Sequence, residues 1–185
     1  MKASPPPARP DGALDLARYP NVYDAAFSWD RSREAESYLE VAGSIMRRSP
    51  ASVVELASGT GPLARLWAAR GLETFGLDRS PAAIGRAQEL GQGVVPASHW
   101  LLGDLRSFRL PHRVDLAVVP LDSLGYLVED EDQLAFFRAA RHSLAAGGVL
   151  AVDTTLHREG SPPVPIRNAW QVSLRPEGSL AVRWC

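Results

Sequence analysis

The chain has 185 residues, 45% of them hydrophobic and 22% charged, enough length and apolar content for one domain with a real buried core. Its formal net charge of -1 removes any general electrostatic reason to expect nucleic acid, which favours a basic face. Cys185 is the one cysteine, so no internal disulfide is possible, and no apolar run approaches the roughly 18 residues of a membrane span.

The start, MKASPPPARP, lacks the apolar stretch of a secretory signal, so a soluble cytoplasmic protein without a membrane partner is the expectation. Residues 1–15 are proline-rich without apolar periodicity, the composition of a disordered leader. Residues 16–48 read as an N-terminal segment and a helix. The segment LARYPNVYDAAFSWD carries Tyr19, Tyr23, Phe27 and Trp29. Such rings either dock the N-terminus on the core or form a lid whose faces cover a cationic ligand. From Arg31 to Arg48 the residues Ala35, Tyr38, Leu39, Ala42, Ile45 and Met46 recur at helical spacing, with Asp30 as N-cap and Ser49-Pro50 as the stop.

Next comes VVELASGTGPLA, residues 53–64, which reads as a buried strand, a turn held by Gly59 and Gly61, and a helix opening at Pro62. Glycine lets the backbone turn sharply and lets a ligand approach without striking a Cβ, and the free N–H groups of the helix start point at that ligand. Gly59 to Ala64 also satisfies the GxGxxG/A pattern of dinucleotide sites. Glu55 alternates with Val54 and Leu56, which aims its carboxylate into the loop. There it would repel a pyrophosphate and favour an ammonium or sulfonium centre.

The following helix presents Leu63, Leu66 and Trp67 and stops at Gly71; a strand over 73–77 leads to Asp78-Arg79-Ser80-Pro81. Ser80 suits an N-cap and Pro81 a first helical residue, which leaves Asp78 at the carboxyl end of the second strand. An acid there accepts hydrogen bonds from ribose hydroxyls in a Rossmann-like sheet. A helix through Ile84, Ala87 and Leu90 and a strand over 99–102 precede Gly103-Asp104-Leu105. The run VDLAVV, 114–119, is apolar on both faces, as a central parallel strand is, and continues into Pro120-Leu121-Asp122-Ser123-Leu124-Gly125-Tyr126 at the ligand edge. Asp130-x-x-Gln133 reads as a capping box, opening a helix with Leu134, Phe137, Ala140 and Leu144 on one face that ends at Gly147-Gly148 before a strand over 149–153. In 156–185, two alternating runs flank Pro176-Glu177-Gly178-Ser179, a hairpin pattern. The expected fold is α/β: a Rossmann-like, mostly parallel sheet with helices on both faces over 49–155, plus a C-terminal antiparallel hairpin.

VVELASGTG resembles motif I of the class I S-adenosylmethionine-dependent methyltransferases, ELGCGTG, with Ala57 and Ser58 in place of Gly and Cys. FGLDRSPAAI is similar to the family's acidic loop after strand two, Gly103-Asp104 to its GD pair, and LAAGGVLAVD to its hLxPGG turn with alanine at the proline. The YD-aromatic segment resembles the lid of the small-molecule members. The resemblance covers 19–153 and implies S-adenosylmethionine as cofactor, contacted by Tyr23, Trp29, Glu55, Ala57, Gly59, Gly61, Asp78, Arg79, Asp104, Leu105 and Pro120. Asp104 would take the adenine amino group and the Leu105 backbone the ring. Asp122, Ser123 and Tyr126 would face a small-molecule acceptor.

Displacement at a sulfonium runs on positioning, so a base is optional; Asp122 and His157 are the candidates. His99, His112 and His142 show no metal-ligand spacing, and no metal is expected. Two alternatives remain open. A nicotinamide-dependent oxidoreductase is opposed by Glu55, by Asp104 and by the lack of a Tyr-x-x-x-Lys pair, Lys2 being the one lysine. A catalytically silent binding or partner subunit is suggested because family members continue into a further helix and two strands. On either reading, the hairpin edge ending in Val182 and Trp184 invites pairing with a second copy or a partner chain.

Overall fold

The computed structural model describes residues 19–27, 29–154, 168–174 and 178–184. Five apolar segments form one all-parallel sheet: β1 (Ser52–Leu56), β2 (Glu73–Asp78), β3 (Trp100–Leu102), β4 (Val114–Val119) and β5 (Leu144–Val152), in the order β3-β2-β1-β4-β5. All of β4 is buried, which is why it reads as a continuous apolar run rather than an alternating one. The helices are α1 (Pro20–Ala26), α2 (Ser32–Met46), α3 (Pro62–Ala69), α4 (Pro81–Leu90) and α5 (Asp130–Ser143).

Alternation along β1 and β4 sorts the core onto two faces. Val53, Leu116 and Val118 pack with Ala35 and Ala42 of α2 and Leu63 and Trp67 of α3. Val54, Leu56, Ala117 and Val119 pack on the other face with Phe136, Ala139 and Ala140 of α5. Strand order reverses between β1 and β4, and in such sheets the crevice outside the strand ends at that point receives the ligand. Separately, the backbones of β6 (Asn168–Leu174) and β7 (Gly178–Trp184) pair antiparallel, from Asn168 opposite Trp184 to Leu174 opposite Gly178. The expected leader at 1–15 and His157 lie outside the described residues.

Several expectations need correction. α5 buries Phe136, Ala139, Ala140 and Ser143, while Leu134 and Phe137 are 50% and 44% exposed. The helix turns its small residues inward because they let it lie close to the sheet, with Phe136 alone supplying bulk. No capping box forms: Glu129 is the N-cap, and Gln133 donates through Nε2 to the Leu127 carbonyl at 2.9 Å. Leu144 begins β5, and Gly147-Gly148 serve a β-bulge rather than a helix cap. Val114 pairs with Leu144 but Leu116 with Val149, Gly147 has φ +75°, and a Cβ on Gly148 would lie 3.0 Å from the Asp115 carbonyl. Ile45 of α2 faces outward, and the N-cap is Arg31, with Asp30 Oδ1 accepting from Ser32 N at 2.8 Å.

Candidate cofactor site

The loop from β1 to α3 alternates into the left-handed region at Ala57 (φ +54°), Gly59 (+55°) and Gly61 (+72°). Its two glycines are required for opposite reasons. A Cβ on Gly59 would meet nothing within 4 Å, so this is the open side that a ligand can approach. A Cβ on Gly61 would lie 2.2 Å from Cη2 of Trp100. The same indole leaves no room for a side chain at Gly76 (2.3 Å) or Gly91 (2.9 Å), and Trp100 is only 4% exposed. Three glycines from separate segments thus form the slot that seats one ring, and Gly61 belongs to that slot. Ala57, where the resembling motif has glycine, holds a conformation that costs an L-residue roughly 1–2 kcal/mol.

Glu55 points elsewhere than its spacing predicts. It is 1% exposed, and Oε2 accepts the Ala64 N–H at 2.7 Å, so the carboxylate braces the first turn of α3 from beneath rather than opening into the crevice. Burial pushes its pKa up to about 7, against the opposing pull of the Ala64 N–H and the Arg31 guanidinium. Arg31, itself buried, pairs with Glu34 at 2.7 and 2.5 Å.

Asp78 bridges two loops at the end of β2. Its Oδ2 accepts from Gly59 N and its Oδ1 from Ser80 N, both at 2.8 Å, and Ser80 Oγ caps α4 through Ala83 N at 3.2 Å. Arg79 beside it is exposed. Asp104, after β3, is gripped by Arg106: backbone N at 2.8 Å, Nε at 2.9 Å and Nη2 at 2.7 Å. That side-chain contact holds the Asp104 carboxyl down at about 2. Leu105 packs half-buried against the core.

At the end of β4, Pro120 is buried, and Leu121 and Asp122 are consecutive non-glycine residues at φ +54°. Strained backbone of this kind concentrates at functional sites. Residues after β5 hold the turn: Leu121 N donates to Asp153 Oδ2 at 3.2 Å and Thr154 Oγ1 to Asp122 Oδ1 at 3.1 Å. Ser123 Oγ donates back to the Pro120 carbonyl at 2.7 Å, and Tyr126 is 82% exposed.

The aromatic segment forms a helix, α1, that covers the glycine loop. Tyr23 and Phe27 lie 4.5 Å apart between ring centres, and Phe27 meets Trp29 edge-on at 5.3 Å. Burial pushes the Tyr23 hydroxyl up to about 12. Asp24 ties the helix down by accepting from Thr60 Oγ1 and from Arg86 Nε, the latter at 3.1 Å. Beneath α1 is a cavity of about 310 Å³ whose lining includes Tyr23, Thr60, Arg65, Arg86 and Leu121. Sequence reasoning missed Asp24, Arg65, Arg86, Arg106 and Asp153. The arginines look like solvated charges in the sequence, and no spacing pattern links them to the partners that packing supplies. Among the described residues, no group of His, Cys, Asp or Glu could hold a metal, and no helix is long and apolar enough to cross a membrane.

Residues 53–148 match the family model of the methyltransferase domain, which is more than half of the chain. The chain belongs to this family, the class I S-adenosylmethionine-dependent methyltransferases. No curated protein matches its sequence. Among solved structures it is similar to DesVI of Streptomyces venezuelae, with 22% identity and a TM-score of 0.71, covering 88% of this chain and 66% of that one. It is also similar to CalS10 of Micromonospora echinaspora, an amino pentose methyltransferase solved with S-adenosylmethionine bound, at 21% identity and TM-score 0.69, covering 95% and 71%. For the sugar N-methyltransferase KedS8 of a Streptoalloteichus species the figures are 20%, 0.70, 98% and 69%. At these identities the likeness establishes the fold, and the chain spans about two thirds of the length of these structures.

Proposed function

We propose that the chain transfers a methyl group from S-adenosylmethionine to the amine of a small molecule. One observation carries the cofactor assignment: the open face of Gly59, with its N–H held by Asp78 at the end of β2. The lack of any atom within 4 Å of a Gly59 Cβ fits a ligand lying against that backbone. In this reading Asp78 receives the ribose hydroxyls, Asp104 the adenine amino group and the Leu105 backbone the ring. The Ala57–Gly61 backbone, Pro120 and the Tyr23 and Trp29 rings enclose the rest, with Arg79 at the rim. When bound, the cofactor supplies an electrophilic methyl on a sulfonium.

The chain's own work is to place the acceptor. Asp122 and Asp153 sit at the ends of β4 and β5, where carboxylates attract a protonated amine and receive the proton it must lose. Ser123 and Tyr126 lie on the same turn, and Asp122 is the leading base. The amine assignment also draws on CalS10 and KedS8, an amino pentose and a sugar N-methyltransferase. The test is incubation with methyl-labelled cofactor and a panel of amino sugars and other small amines, read by mass spectrometry. Label transferred to nitrogen and reduced strongly by Asp122→Asn supports the reading. A chain that binds cofactor but labels only hydroxyl compounds overturns the amine assignment.

A further inference from the structure

The outer face of α5 carries a pattern that the fold does not use. At 3.6 residues per turn, Asp130, Leu134, Phe137 and Arg141 fall within about 60° of one another, and all four are exposed on the side turned away from the sheet. Two large apolar side chains thus occupy the middle of the stripe, with an acid at one end and a base at the other. Glu131 and Arg138, also exposed, flank it along one side. Among the described residues none of these four charges forms an ion pair, whereas Asp132, further around the helix, is taken by Arg106 at 3.4 Å. Asp130 and Arg141 stand about 16 Å apart along the axis, too far to pair with each other. Nor does any of the four have an opposite charge three or four residues away, the spacing at which helical residues meet. The helix dipole favours acids at the start and bases at the end, but it gives no reason for Leu134 and Phe137 to stand between them.

The stripe is its own complement. Turned end for end, a second α5 sets Leu134 opposite Phe137, Asp130 opposite Arg141 and Glu131 beside Arg138, and a twofold axis between Ala135 and Phe136 repeats each contact. We propose that α5 pairs antiparallel with α5 of a second copy of this chain through this stripe. A parallel pair would set Asp130 against Asp130 and Arg141 against Arg141, which repel. Exposed ion pairs add little affinity, so the charges fix direction and register while burial of Leu134 and Phe137 supplies the attraction. One helix pair is at the small end of protein interfaces, and the dimer dissociates in roughly the micromolar range. This contact requires neither the hairpin edge nor the methyl-transfer reading.

The test is analytical sedimentation of the full chain over a concentration series, in which the parent should pass from monomer to dimer. Phe137→Asp should weaken association roughly thirtyfold or more, as loss of a central contact does. Asp130→Arg and Arg141→Asp each set like charges across the contact, and each alone should weaken it roughly tenfold or more. Mixed in equal amounts, these two charge variants restore opposite charges at both ends and should form a heterodimer close to the parent in affinity. Pairing through another surface gives no such rescue. All the substituted positions are exposed, and circular dichroism checks that each variant keeps its helices. Should Phe137→Asp fail to fold, the mixing experiment decides alone; should either charge variant fail, Glu131→Arg mixed with Arg138→Glu takes its place. A chain that stays monomeric throughout the series overturns the proposal. So does a dimer indifferent to these substitutions, the result expected of pairing through the hairpin edge, and so do mixed charge variants that remain apart.

Discussion

Two turns at the same edge of the sheet use left-handed backbone in different ways. The turn after β1 enters that region at Gly59 and Gly61, where it costs little, and at Ala57, where it costs more. The turn after β4 enters it at Leu121 and Asp122, neither of them glycine, and hydrogen bonds to Asp153 and Thr154 keep it there. The first is strained only at Ala57, which suits the seating of a constant ligand under the proposed function. The second holds strain against a brace, which suits a surface that must place an acceptor's atoms within a fraction of an ångström.

The strongest way to break this contrast is Gly61→Ala. The new Cβ meets Trp100 at 2.2 Å on a left-handed backbone, so a loss of about 3 kcal/mol or more is expected in chemical denaturation. Trp100→Ala in the same chain should recover part of the local clash, and a Gly61→Ala chain as stable as the parent would disprove the slot.

Glu55→Gln comes next. Because the folded pKa of about 7 stands above the ordinary carboxyl value of 4.5, the folded chain keeps a proton that the unfolded chain releases. This group's contribution is full below about pH 4.5 and is lost as pH rises through about 7, a difference on the order of 3 kcal/mol. Thermal melts across that window should therefore fall less steeply in Glu55→Gln, whose amide oxygen can still accept from Ala64 N. An unchanged slope would place the carboxylate in water.

Leu121→Gly sharpens the second turn. Relief of strain and added chain entropy nearly cancel, so stability should move by no more than about 1 kcal/mol. Once the turn loosens, kcat should fall on the order of tenfold with cofactor affinity unchanged. Ala57→Gly is the mildest: a gain of about 0.5–1 kcal/mol with little effect on turnover would show that the first turn carries incidental strain rather than useful strain.

The five strands were legible because buried parallel strands are continuous apolar runs punctuated by Gly, Pro and capping residues, as at Ser80-Pro81; their spatial order, which depends on how the crossovers pack, was not. The face of α5 was not, because the size of Leu134 and Phe137 outweighed the close approach allowed by Ala139, Ala140 and Ser143. At the site, Asp78, Asp104 and the loop glycines stand where their motifs placed them, at strand ends. Their surroundings were illegible. The partner of Gly61 is a tryptophan far along the chain, Glu55 is turned inward by an N–H of α3, and the Asp24 latch joins three elements remote in sequence. Each depends on tertiary contact rather than on local pattern.

The central claim is that Asp78 and the open face of Gly59 hold S-adenosylmethionine. Calorimetric titration with S-adenosylhomocysteine, beside an Asp78→Ala control and NADH as competing ligand, tests it most directly. The account predicts saturable binding that stabilises the chain by roughly 2.7 kcal/mol at about 100 times Kd, with Asp78→Ala folded but weakened by about a hundredfold. Binding of NADH instead, or of neither ligand by a folded chain, would contradict it.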